Sequence, residues 1–188
     1  MVPSNVERDR LLAELTPLCQ GIAEEVLTDF VSRMDPDYFA SFPPATLARH
    51  ARMAAALTPE HPCEVAIEDL PNNHSAVTIV AYDYFSEFAT ICGLLSAFGL
   101  NIEEGRIFTS AEAQQARTTK PSSAGAFPAR RHGRPGLTRK KIVDVFTVQP
   151  IAGQTFSTDD RRRLIEQLTR MITLLDQDRF DEARQQVN

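Results

Sequence analysis

The run Ala76-Val-Thr-Ile-Val-Ala-Tyr82 most constrains what this chain can fold into. It is β-branched, almost wholly apolar and too short for a core helix, so it reads as a largely buried strand. Upstream, Cys63-Glu-Val-Ala-Ile-Glu-Asp69 alternates apolar with polar, the signature of a half-buried strand. Pro71-Asn-Asn-His74 between them is turn chemistry, which predicts a hairpin.

Downstream, a helix is predicted from Ser86 to Phe98, capped by Ser86 and stopped at Gly99, where a left-handed residue is wanted. Strands follow over Ile102–Ser110 and Lys141–Gln149. A long amphipathic helix carries Leu164, Ile165, Leu168, Met171, Ile172 and Leu175, with Thr158-Asp-Asp160 as its cap. Asp178–Val187 either continues that helix or forms a short one of its own. From His74 the order is strand, helix, strand, insertion, strand, helix. That is the ferredoxin-like βαββαβ plan without its last strand, an antiparallel sheet with both helices on one face. Two readings stay open: the chain is cut before that strand, or Cys63–Asp69 fills the sheet edge. A bare edge would invite pairing with another chain.

The first third is helical. Leu11, Leu15, Leu18, Ile22, Val26 and Phe30 step by three or four, with an interruption at Thr16-Pro17 and a stop at Asp35-Pro36. A further helix is predicted from Pro44 to Leu57, carrying His50 and Arg52. The fold class is therefore α+β, with a helical segment over residues 1–60 and a sheet module over 61–188.

Residues 111–139 differ in composition. From Ala111 to Lys141 there are eight Lys or Arg against Glu112 alone, with Pro-Ser-Ser-Ala-Gly and Arg-Arg-His-Gly-Arg stretches. This reads as a disordered basic insertion. The whole chain carries a net charge of −5, so the remainder is strongly acidic and charge is segregated within the molecule. Nucleic acid and anionic membrane are poor partners for such a balance. A solvated loop, or one that docks on an acidic partner, is the better reading of the Arg130–Arg134 run.

With 43% hydrophobic residues in 188, the chain has material for a real core. No apolar run is long enough to span a membrane, and the N-terminus lacks the basic-then-apolar pattern of a signal peptide. The three cysteines, Cys19, Cys63 and Cys92, fit neither a disulfide framework nor a zinc site and read as small buried hydrophobes. A cytoplasmic location is expected. His50 reads as a surface or packing residue. His61, His74 and His132 stand isolated in turns without metal-ligand spacing.

Val77-Thr-Ile-Val-Ala-Tyr-Asp83, Phe88, Ala97-Phe-Gly-Leu-Asn-Ile102 and Gly105-Arg-Ile-Phe-Thr109 together resemble an ACT domain, a small-molecule-sensing module that often binds amino acids. Val143-Asp-Val-Phe-Thr-Val148, Met34-Asp-Pro-Asp-Tyr-Phe39 and Thr46-Leu-Ala-Arg-His-Ala-Arg52 extend the likeness. They are similar to the C-terminal regulatory region of PII uridylyltransferases and glutamine-synthetase adenylyltransferases. The resemblance spans most of Val26–Leu175 outside the basic insertion, and the order of the motifs is its stronger part. It implies an allosteric role in nitrogen metabolism, with glutamine as effector, a second ACT module or a homodimer as partner, and a nucleotidyltransferase domain as target. The catalytic motifs of those enzymes are absent: no Gly-Ser turn precedes an Asp-x-Asp pair, and no His-Asp pair occurs. The chain is therefore expected not to be an enzyme, and no cofactor, metal or catalytic residue is assigned.

The candidate ligand site is the strand-to-helix connection Asp83, Tyr84, Phe85, Ser86, Glu87 and Phe88, together with Asn101. Free N–H groups at a helix start suit a carboxylate. The resemblance adds a departure: Phe85 and Ser86 stand where ligand-binding ACT domains carry Pro and Gly, and a side chain at Ser86 can block the ligand or simply cap the helix. Asn101 matches the family's Gly-x-Asn-Ile turn, though Asn also suits a turn after Gly99 for local reasons. The rival reading is an ACT-like interaction module that binds no ligand and holds a dimer or a catalytic domain.

Overall fold

A computed structural model describes residues 5–83, 87–111 and 139–185. The N-terminal helices are α1 (Asn5–Leu15), α2 (Glu24–Arg33), α3 (Pro36–Ser41) and α4 (Pro44–Ala56). The interruption expected at Thr16-Pro17 is a single 3-10 turn over Thr16–Leu18, and α2 begins only after Gly21 takes a left-handed φ of +91°. Asp35-Pro36, expected as a stop, also starts α3: the Asp35 carboxylate accepts from the Asp37 N–H at 3.1 Å, and Pro36 occupies the first helical position.

β1 (Cys63–Leu70) and β2 (His74–Tyr82) form the expected hairpin, from Cys63 opposite Ala81 to Leu70 opposite His74. Pro71, Asn72 and Asn73 turn it, with both asparagines at φ +60°, a left-handed conformation that Asn tolerates. α5 (Glu87–Ala97) leads to β3 (Leu100–Thr109), and β4 (Lys141–Pro150) leads to α6 (Thr158–Asp176) and the short separate α7 (Phe180–Gln185). The cap of α6 is Ser157 rather than Thr158. Its hydroxyl accepts from the Asp160 N–H while the Asp160 carboxylate accepts from the Ser157 N–H, a reciprocal box.

The sheet is antiparallel with strand order β1-β2-β4-β3. Of the two readings left open, β1 does occupy the edge beside β2, the position a last ferredoxin-like strand would take. The architecture is thus α+β and compatible with a ferredoxin-like fold.

Two cores sit on the two faces. Ile79, Ile142, Phe146 and Val148 point to one, packed against Ile91, Leu94 and Leu95 of α5 and Leu164, Leu168 and Met171 of α6. Val80, Tyr82 and Val143 point to the other, covered by Leu27, Phe30 and Val31 of α2 and Leu47, Ala48 and Ala51 of α4. The N-terminal helices therefore form the third layer of one sheet. This explains why β2 reads apolar at nearly every position: both its faces are covered. No described helix is long and apolar enough to cross a membrane.

Candidate functional site

The candidate site lies where β2 and β3 end and β4 begins. Backbone bonds tie the three strand ends together: the Asp83 N–H donates to the Lys140 carbonyl at 3.0 Å, and the Ser110 N–H donates to the Lys141 carbonyl at 2.8 Å. The Ser110 hydroxyl accepts from the Lys141 N–H at 2.8 Å, which satisfies a donor that the end of the ladder leaves over. Asp83 is exposed, one residue past β2 and four before the start of α5.

Tyr84, Phe85 and Ser86 lie outside the described residues, as does the insertion over 112–138, so the cap expected from Ser86 is not addressed. Glu87 opens α5. Phe88, in the first turn, is 50% exposed and stacks on Phe146 with ring centroids 6.0 Å apart.

Asn101 is not in a turn. Leu100 already belongs to β3, and Asn101 pairs in register with Gln149. The left-handed step is taken by Gly99 alone, at φ +69°. Tyr82, beside Asp83, pairs with Lys141 at the other end of β4. Asp83 and Asn101 are thus separated by the length of that strand, about 27 Å at the rise of an extended chain. One copy of the chain does not bring them together. The end that holds Gly99 has instead a cleft of about 460 Å³ lined by Gly99, Ile151, Gln154, Asp160 and Arg163, with no residue of the predicted site in it.

Around Asp83 the basic groups are engaged in holding the strand ends. Arg33, only 7% exposed, donates from Nε to the Ala111 carbonyl at 2.8 Å and from Nη2 to the Arg139 carbonyl at 2.9 Å, while pairing with Asp29 at 3.2 Å. The Arg139 guanidinium lies over the Tyr82 ring, 4.2 Å from its centroid, and pairs with Asp176 at 2.7 Å. Buried Lys141 donates from Nζ to the Ala54 carbonyl at the end of α4. Burial pushes its ammonium pKa down, Asp29 pulls it back up and Arg33 adds to the depression.

Beneath α5 lies Asp144, which the strand reading of Lys141–Gln149 did not single out. It shares the α5 face with Ile142, Phe146 and Val148, and is 2% exposed. Its neighbours across the sheet are Ile79 on β2 and Ile107 on β3. Its Oδ1 is buried with no hydrogen-bond partner among the described residues. Burial first, and the charge of Asp83 second, push its carboxyl pKa up to about 7. Cys92 on α5 feels the same environment: its thiol is raised by burial and then by the Asp144 charge. The signal was present in the sequence, since a strand with an apolar residue at every second position has one carboxylate in that series.

His50 is a packing residue. It is fully buried between Phe42 and Tyr38, its Nδ1 lies 3.0 Å from the Tyr38 hydroxyl, and its Nε2 has no partner. Burial, then the charge of Arg49, lowers its pKa to about 4, so at neutral pH it is an uncharged wedge. Among the described residues no three His, Cys, Asp or Glu side chains are grouped to hold a metal ion. No family model matches this chain, and no curated protein matches it either.

Proposed function

We propose that this chain is a regulatory, non-catalytic module of the ACT type. It senses an amino acid, glutamine first among candidates, and passes its occupancy to a nucleotidyltransferase of nitrogen assimilation. The observation that carries the reading is that β2 ends at Tyr82 and α5 starts at Glu87, with Asp83 at that end of the sheet. Asp83 thus stands four positions before a helix start, and the first N–H groups of a helix, which have no intrahelical partner, favour a carboxylate. The antiparallel sheet with α5 and α6 on one face supports the same reading at the level of architecture. An effector at this loop acts only through its different affinity for two arrangements of the module and its target.

The rival is an interaction module without a ligand, and a specific observation favours it. β3 is an edge strand with most of its residues exposed, Ile107 among them at 46%. Such an edge is a template for another strand. The two readings meet in one geometry. In an antiparallel pairing of two β3 strands, Asn101 of one copy faces the Thr109 end of the other, and so its Asp83 end. A ligand touching both residues then sits between two copies.

A thermal-shift titration with the twenty amino acids and 2-oxoglutarate tests the proposal, because a ligand bound only by the folded chain raises its melting temperature. A saturable shift with glutamine supports sensing. A folded chain that shifts with none of them, yet dissociates from dimer to monomer on Ile107→Lys, is the interaction module.

A further inference from the structure

We infer that Asp144 is the recognition group for a positively charged nitrogen, on the α5 face of the sheet opposite Ile107. The inference rests on the amino-acid reading above and extends it: the helix start takes the carboxylate of a zwitterion, and Asp144 takes its α-ammonium.

A buried carboxyl whose Oδ1 has no partner among the described residues is a liability beside an apolar core that includes Ile79, Ile142, Phe146 and Leu95. Isosteric apolar residues would fill that place at lower cost, so such a group marks a functional position more often than a structural one. The groups that bear on it point the same way. Asp83 approaches from the β2–α5 connection and Cys92 from α5, while β2 and β3 contribute Ile79 and Ile107. None of these supplies a positive charge. A cation placed here would find two carboxylates, one at the floor and one at the rim, in surroundings of low dielectric where a charge pair is strong. The cover is also thin: Ile107, the register partner of Asp144 on β3, and Phe88, stacked on Phe146 two positions along β4, are each about half exposed.

The chemistry balances simply. The ammonium enters with its proton, the Asp144 carboxyl releases its own to solvent, and a carboxylate–ammonium pair remains. With the carboxyl pKa raised to about 7, binding at pH 6 releases close to one proton per ligand, and at pH 8.5 almost none.

The test is calorimetric titration of the full chain at pH 6 and pH 8.5, in buffers of different ionisation enthalpy, against L-glutamine, glutaramate (the same molecule without its amino group) and ethylammonium. Wild type and Asp144→Asn are compared, and circular dichroism verifies that the variant is folded. Glutamine binding with proton release at pH 6, weakened about 30-fold or more and without proton release in Asp144→Asn, supports the inference. Equal glutamine affinity in the two proteins overturns it and leaves amino-acid sensing standing. Ethylammonium binding that Asp144→Asn abolishes, with glutamine silent, upholds Asp144 and overturns amino-acid sensing. No binding of any probe to the folded wild type overturns both.

Discussion

The Arg33 guanidinium donates to the Arg139 carbonyl at 2.9 Å, across 106 positions of sequence. Its Nε holds the Ala111 carbonyl at 2.8 Å, and the Ala111 N–H returns a bond to the Arg33 carbonyl at 2.8 Å. One side chain from the last turn of α2 thereby joins the residues on either side of the basic insertion. Ala111 and Arg139, the described residues that flank the insertion, thus form a closed stem at the end of β3 and β4.

Replacing Arg33, itself 7% exposed, with Ala removes the donor of two carbonyls and the partner of the half-buried Asp29 carboxylate. A loss of about 2 kcal/mol of unfolding free energy is expected in urea titration. Arg33→Lys recovers little of it, because one ammonium cannot reproduce the planar fork that reaches two carbonyls. Full recovery by Lys would contradict the stem assignment.

Asp144 and His50 pull the stability in opposite directions over overlapping pH ranges. The folded-state pKa of Asp144, about 7, lies above the unfolded value, so its contribution is complete below about pH 4 and is lost as pH rises toward 7. The span corresponds to about 4 kcal/mol at most. His50, at about 4 when folded, must stay neutral in its pocket. Its unfolded form takes up a proton below about pH 6.5, so stability falls as pH drops from there toward 4, by about 3 kcal/mol at most.

The two slopes largely cancel in the wild type between about pH 4 and 6.5. Each variant unmasks the other slope. Asp144→Asn is expected to lose stability steadily as the solution is acidified. His50→Gln is expected to lose it as pH rises. Denaturant midpoints at half-unit pH intervals measure this, and parallel profiles for all three proteins would contradict both burial assignments.

Gly99 carries the turn between α5 and β3 at φ +69°, and a β-carbon there would strike the Gln154 side chain. Gly99→Ala is expected to cost about 1–2 kcal/mol from the left-handed backbone. Adding Gln154→Ala removes the collision but not that cost, so a double variant as stable as wild type would show that the turn had re-formed differently.

The strands and long helices were legible because local chemistry and burial agree there. The alternation of Cys63–Asp69, the Asn72-Asn73 turn, Pro44 at a helix start and Gly99 at a helix end each carry one meaning. Asp35-Pro36 carried two, since the pair that stops one helix is also a good cap and first residue for the next; α3, only six residues long, was therefore missed. The covering of both sheet faces was hinted at by the unbroken apolar run in β2, but the identity of the second cover depends on contacts between distant segments. The Arg33 stem is beyond local reasoning for the same reason. At the site, the sequence pattern located Asp83 and Phe88 at the start of α5. It set Asn101 in a turn, whereas the strand begins one residue earlier, and it did not single out Asp144, because a carboxylate within a strand reads as solvent-facing until the cover over that face is known.

The most direct measurement is a ¹⁵N-edited NMR titration of the full chain with L-glutamine, following the amides of Asp83, Phe88, Asn101 and Asp144. The account predicts saturable shifts confined to these residues and their strand neighbours, with Asn101 moving in step with Asp83 despite their separation in one copy. A well-dispersed spectrum that does not change at millimolar glutamine, or with any other amino acid, would contradict it.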